Sequence, residues 1–377
     1  MSRAYLDHAS TSPVRPAALE ALLAWFRPAG GGVPGDPGRI HAEGMSSRVA
    51  LENAREQVAA LVGARPREVI FTSGGTEAIA MASYGALERA GGGRVVLPAI
   101  EHSAVREWAA RGEAVIVGVD RLGRVDPDEL LTQVDERTSL VHLQWGNHEV
   151  GTCQRLEPVV QRCRELGVPV HVDAAQAVGR VPVDFAGLGA DLLTLSGHKF
   201  GAPPGTGALL VRRGVRLPPL LLGGDQERAR RAGMENVPAL VGLGAAAEEV
   251  AERLPAELHR SRRLTARVID WADRTDGVQL LGDREHRLPH LVCLGIEGIE
   301  PQPVVLGLDR VGVSVHSGSS CSSEALEPSP VLQAMGVDAE RSLRISVGWD
   351  TTDGDVDRLL AALPEVLDGL RALRGRT

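Results

Sequence analysis

The chain has 377 residues, 43% of them hydrophobic, enough for a large core and for two domains, or one large domain with a smaller appendage. A net charge of −8 with no basic run argues against a nucleic-acid partner, and no uncharged apolar run approaches the ~18 residues of a membrane span. The N-terminal Met1–Asp7 lacks the apolar stretch of a secretory signal, and Cys153, Cys163, Cys293 and Cys321 lie too far apart for a zinc pattern or disulfide framework. A reduced cytoplasm, no metal site and no membrane are therefore expected.

From about residue 16 onward, strand-like apolar runs alternate with helical patterns. Strands are expected at 69–72, 94–97, 114–119, 139–144, 169–172, 191–195 and 208–211, with helices at 46–62, 76–88, 103–111 and 156–166. The Gly- and Pro-rich stretch 29–38 reads as a long loop. Strands alternating with helices predict an α/β domain, its mostly parallel sheet covered by helices on both faces. Ligands in such folds sit at the carboxyl ends of the strands. Asn236 is placed to cap a helix through Arg253, and Pro255 opens a second one, 255–274. Shorter strands follow near 279–281, 290–294, 312–315 and 343–347, then an amphipathic helix over 353–373. The expected division is a large domain over 16–250 and a smaller α/β domain over 251–377, with 1–15 packed on it.

Several stretches carry chemistry. Phe71-Thr72-Ser73-Gly74-Gly75-Thr76-Glu77 joins a strand to a helix. Gly75 lets backbone approach a ligand, and Thr76 adds a hydroxyl at a helix N-terminus, an anion site; an ordinary Gly-rich turn is the equal alternative. Glu101-His102-Ser103 opens a helix, where His102 either stacks on a planar ligand and relays protons or is a polar surface residue. Asp173, ending the run Val170-His171-Val172, puts a carboxylate at a buried strand end. It is a helix cap, or it pairs with a cation; were a pyridine cofactor present, it would keep the ring nitrogen protonated.

Leu195-Ser196-Gly197-His198-Lys199-Phe200-Gly201 stands apart, because Lys199 is the sole lysine among 41 basic residues. Arginine stays protonated and forms no Schiff base, whereas a desolvated lysine becomes nucleophilic, so this pattern points to chemistry at an amine. A solvated cation left by codon bias is the bland alternative. Cys321, in the small polar run Ser317–Ser323, has the exposure a thiolate nucleophile needs, unlike Cys293 in its apolar strand; an inert loop cysteine is the other reading. Arg344 lies inside an apolar strand and needs an anionic partner, either a substrate carboxylate or a structural salt bridge.

Together these stretches resemble the cysteine desulfurases of the class V, fold-type I pyridoxal-phosphate enzymes. The matching segments also include Tyr5–Ala9, Glu149–Thr152, Gly223–Glu227 and Glu235–Val237, so the likeness runs nearly end to end. The resemblance implies that Lys199 holds pyridoxal 5'-phosphate covalently and then acts as a base, while Asp173 pairs with the ring nitrogen. It implies that His102 stacks on the ring, that Gln176 meets the ring hydroxyl, and that Thr76, Ser196 and His198 bind the phosphate beside Gly75. Arg344 would hold the amino-acid carboxylate. Cys321 would take the substrate sulfur as a persulfide, leaving alanine.

The family is a homodimer with sites near the subunit interface, and members with a long loop after the cysteine, here reaching Glu327-Pro328-Ser329, pass sulfur to protein acceptors. Three positions depart from the family pattern. His148 replaces an asparagine that contacts the ring hydroxyl. Met234 replaces a threonine that reaches the partner subunit's phosphate. Asp36 and Gly38 stand in the segment that is usually Gly-Asn-Pro-Ser. A related C–S or C–Se lyase, or an aminotransferase for another amino acid, is the second reading.

Overall fold

The computed structural model describes residues 3–27, 35–317 and 328–374. In chain order the strands are β1 (Ala4–Tyr5), β2 (Val69–Thr72), β3 (Arg94–Pro98), β4 (Glu113–Val117), β5 (Thr138–Gln144), β6 (Val170–Asp173) and β7 (Leu192–Ser196). They continue with β8 (Gly207–Val211), β9 (Val278–Leu281), β10 (Leu291–Ile296), β11 (Val313–Ser314), β12 (His316–Ser317) and β13 (Ser342–Ser346). The helices are α1 (Pro16–Phe26), α2 (Ala42–Leu61), α3 (Gly75–Ala90), α4 (Ser103–Ala109), α5 (Pro127–Thr132), α6 (Leu156–Leu166) and α7 (Phe185–Leu188). After them come the irregular turn α8 (Gln226–Ala229), α9 (Val237–Ala272), α10 (Pro301–Arg310), α11 (Pro330–Ala334) and α12 (Asp353–Arg374).

The main sheet runs β2-β8-β7-β6-β5-β3-β4. Its parallel pairs are β3–β4, β3–β5, β5–β6 and β6–β7, while β8 lies antiparallel to both β7 and β2. The sheet is mostly parallel, as the alternating pattern implies. Every residue of β5, β7 and β8 is buried, which is why these runs are not alternating but continuous. One apolar cluster, with α2, α6 and the first half of α9, covers one face; a second, with α3 and α4, covers the other. The register pairs Gln144 with Asp173 and Asp173 with Thr194, so the carboxyl ends of β5, β6 and β7 form one row.

A separate antiparallel sheet, β12-β13-β10-β9, packs its core against the end of α9, α10 and α12. The N-terminal segment joins this layer: β1 pairs with β11, and Asp7 bridges to Ser346. Asn236 caps α9 as its sequence predicts, its side-chain oxygen accepting from Ala239 N–H at 3.4 Å. The helix does not stop before Pro255, however, and runs through it as one 36-residue element. A proline removes one helical N–H and costs the interior about 3 kcal/mol. Here residues 251–253, 255 and 256 are exposed, so the carbonyl that Pro255 leaves without a donor lies on a turn open to solvent. α9 therefore crosses residue 250 without a break and carries the chain from one sheet to the other.

The β2 edge of the main sheet is closed by side chains. β2 has β8 on one side only, leaving its outer Phe71 N–H and Val69 C=O without strand partners. Glu227 accepts from Phe71 N–H at 2.9 Å, and Arg55 donates to the Val69 carbonyl at 3.0 Å. The two side chains join in a buried bidentate pair, both bonds 2.7 Å, with the guanidinium 4.6 Å above the Phe71 ring. Glu227, Arg228 and Ala229 all have left-handed backbone, φ 47°, 60° and 60°. Three such non-glycine residues in a row are strained, and the buried ion pair holds them there. Glu227→Gln is expected to lower unfolding stability by about 3 kcal/mol, since it removes the buried charge partner of Arg55 and leaves only the partly exposed Glu52, 3.3 Å from Arg55 Nε. Urea denaturation at neutral pH measures this, and a loss below about 1 kcal/mol would count against the clamp.

Candidate active site

A cavity of about 540 Å³ opens where the ends of β5, β6 and β7 meet the N-terminus of α3. Gly75, Thr76, His102, His148, Asp173, Gln176, Ser196, His198, Lys199 and Arg344 all line it. Each expected site residue within the described chain thus faces one space. Cys321 lies outside the described residues.

Local structure explains the placement. β7 ends at Ser196, and the short 3-10 turn Gly197–Lys199 swings the lysine back over the strand ends. Its Nζ donates to the carbonyls of Ala9 and Ser10 at 2.7 and 2.8 Å. Burial, and then the neighbouring Arg344, hold the amine down to about 8, against the pull of Asp7 and Asp173. Asp173 ends β6 and accepts from Ala175 N–H at 3.0 Å. Burial pushes its carboxyl up, opposed by that N–H and by His102 and Lys199. The amine and the carboxylate are thus both desolvated and face the same cavity.

The anion cradle is the start of α3, whose first-turn N–H groups point outward. A side chain at Gly75 would crowd Ser196, its Cβ lying 3.3 Å from the serine Cβ, so glycine keeps the floor open. Glu77 sits in that first turn and would repel an anion, but it is turned aside. It accepts from Ser73 N–H at 2.8 Å and pairs with Arg231 Nε at 2.8 Å. Although burial pushes the Glu77 carboxyl up, the bonds from Arg231 and Ser73 hold it below its usual value. Burial and then Lys199 push His198 down to about 4, and its Nδ1 lies 3.1 Å from Thr11 Oγ1.

Opposite stand two imidazoles. His102 caps α4, its Nδ1 accepting from Ala104 N–H at 3.1 Å, which places the ring proton on Nε2. The His148 ring meets it edge to face with centroids 5.2 Å apart. Gln176 donates from Nε2 to the Ala9 carbonyl at 2.8 Å, and its Oε1 lies 3.3 Å from His290 Nε2. Arg344 makes the structural salt bridge, the second of its sequence alternatives, and also borders the cavity. It pairs with Asp7 at 3.0 Å and donates to Ser10 Oγ at 2.6 Å and the His148 carbonyl at 2.9 Å, yet still lines the cavity. Its buried Nε has no hydrogen-bond partner among the described residues.

Sequence reasoning missed Asp7, Ser10, Arg231 and His290, along with Arg180, which is buried and donates to the Lys199 carbonyl at 2.7 Å. Lone Asp, Ser or Arg residues far along the chain carry no local signal of such pairing. The arrangement offers a desolvated amine, a carboxylate facing it, planar imidazoles and an anion cradle. That set suits an aromatic aldehyde carrying a phosphate.

The chain resembles known proteins over nearly its whole length. The sequence profile described as "Aminotransferase class-V" matches residues 4–359. A cysteine desulfurase of Gluconacetobacter diazotrophicus is 41% identical, over 99% of this chain and 95% of its own length. A solved structure titled "NIFS-LIKE PROTEIN" superposes with a TM-score of 0.90 at 32% identity, covering 98% of this chain and 100% of its own. Another, titled "SspA in complex with cysteine", gives a TM-score of 0.79 at 28% identity over 91% of this chain and 98% of its own.

Proposed function

Starting from the premise that this chain belongs to the class-V aminotransferase family and, within it, to the cysteine desulfurases, we propose that it converts L-cysteine to L-alanine and moves the sulfur to Cys321. The carrying observation is that a desolvated Lys199 amine and a half-buried Asp173 carboxylate line one cavity. The residues fit pyridoxal phosphate. Gly75 leaves room beside Ser196, Asp173 is a half-buried carboxylate at the cavity suited to a protonated ring nitrogen, and the buried Arg344 Nε still lacks an acceptor. Bound there, pyridoxal phosphate supplies the electron sink for a carbanion at the amino acid's α carbon.

The chain's own groups do the rest. Lys199 would hold the cofactor, and its Nζ is the group that would take and return the α proton. Asp173 keeps the ring nitrogen protonated, while Thr76, Ser196, His198 and the α3 N-terminus hold the phosphate. His102 stacks on the ring and is placed to relay protons, with Gln176 and His148 beside the ring hydroxyl. Arg344 holds the substrate carboxylate. The Cys321 thiolate attacks the substrate sulfur, so that the cysteine C–S bond breaks, an S–S bond forms, and Cys321 becomes a persulfide as alanine leaves. The described thiols are poor rivals: burial pushes Cys153, Cys163 and Cys293 each up to about 12.

We also read the chain as a homodimer in a reducing cytoplasm that passes sulfur to a protein acceptor. Leu19, Leu23 and Phe26 form an exposed apolar stripe along α1, which a second subunit would cover. Free cysteines fit a reducing compartment, and no described helix is long and apolar enough to cross a membrane. Product analysis with cysteine, selenocysteine and cysteine sulfinate tests the reading. Wild type should yield alanine from cysteine, and Cys321→Ser should lose about 10²-fold or more of that activity while still taking up the cofactor. Alanine formation from cysteine undiminished in Cys321→Ser would favour a lyase that does not use this thiol.

A further inference from the structure

A second carboxylate stands behind Asp173. Glu101 follows β3 and is 2% exposed. Its Oε1 accepts from Gln144 N–H at 2.7 Å, and its Oε2 has no hydrogen-bond partner among the described residues. No described arginine, lysine or histidine forms an ion pair with it, although its chain neighbour is His102. Gln144, whose N–H it takes, is the strand partner of Asp173. Two carboxylates therefore flank one residue of β5 in a buried region where only Asp173 faces Lys199 and His102 across the cavity.

Two like charges in so small and dry a space are not both ionised unless a cation serves each. Asp173 faces the Lys199 amine and, on the reading above, a protonated ring nitrogen; Glu101 has none. A neutral acid costs far less to bury than a carboxylate, and its carbonyl oxygen still accepts the Gln144 N–H. We propose that Glu101 is held as a neutral carboxylic acid and acts as a positioning residue, fixing the end of β5 while leaving Asp173 the single anion beneath the cofactor ring. Burial, and then the nearness of Asp173, push the Glu101 carboxyl up to about 8 against the Gln144 N–H, which agrees. Among the described residues, Asp173 on β6 is the titratable group that acts on Glu101. The role rests on pyridoxal phosphate binding in this cavity; the protonation does not.

Infrared spectra of the cofactor-free full-length protein read the proton directly. At pH 6.5 wild type should show a carboxylic-acid carbonyl band that fades as the pH passes about 8. Glu101→Gln should lose the band and Asp173→Asn should keep it. In the loaded protein, Glu101→Gln should change cofactor affinity, and the pH midpoint of cofactor absorbance, by less than about threefold, because an amide resembles a neutral acid. Absence of the band at pH 6.5, or a midpoint moved by about tenfold or more in Glu101→Gln, would overturn the proposal. A band in a protein that takes up no pyridoxal phosphate would remove the positioning role and, separately, the cofactor reading.

Discussion

Lys199→Arg is expected to abolish both pyridoxal phosphate capture and turnover although it preserves the positive charge of the site. The chain has no other lysine, so no neighbouring amine rescues the variant. Guanidinium cannot form the covalent link or act as a base near neutral pH. In wild type the amine is held down to about 8, so roughly a quarter is unprotonated at pH 7.5, against about one in a thousand at the ordinary lysine value. Capture of pyridoxal phosphate by the cofactor-free protein should therefore speed up as the pH rises through about 8 and then level off. Absorbance titration reads both effects. Full spectral uptake by Lys199→Arg, or a capture rate still climbing steeply above pH 10, would mean that another group holds the cofactor or that the amine is not desolvated.

Asp173→Asn should have the second largest effect, lowering the rate by about 10²-fold or more while the fold stays intact. The amide still accepts from Ala175 N–H, whose bond to Asp173 is 3.0 Å, but it carries no charge with which to keep a ring nitrogen protonated. The stability response gives the sharper check. Burial raises the Asp173 carboxyl, so its folded value lies above its unfolded one. Such a group stabilises fully below the unfolded value, and that contribution is lost as pH rises through the folded value. In cofactor-free protein at neutral pH, removing it should leave Tm unchanged or higher. With pyridoxal phosphate bound the order should reverse, because the cofactor then stabilises wild type more. A lower Tm for the cofactor-free variant would show that Lys199 already outweighs the burial of Asp173 within the protein.

Much of this protein is legible along the chain. The alternation of apolar runs and helical periods marks β2 to β8 within a residue or two, since buried parallel strands are continuously apolar and helices are not. The solitary Lys199 and the strand-end Asp173 stand out for the same kind of reason, as residue types that local structure alone does not require. α9 is the clearest failure at this level. Pro255 reads as a start, but an exposed helical turn tolerates the missing N–H.

What sequence alone determined is which candidate groups, Lys199 and Asp173 foremost, sit at strand ends, and where along the chain those strands lie. The three-dimensional fold decided their electrostatic state. Arg344 finds Asp7 across 337 positions, Arg55 finds Glu227 across 172, and Arg231 turns Glu77 away from the anion cradle across 154. Glu101 likewise is an ordinary acid beside a histidine in the sequence, and only burial next to Asp173 raises its carboxyl. Periodicity reports which face of an element is apolar, a local property of the backbone. The charge a buried group carries depends on desolvation and on partners a few ångströms away, and chain closure alone brings those together.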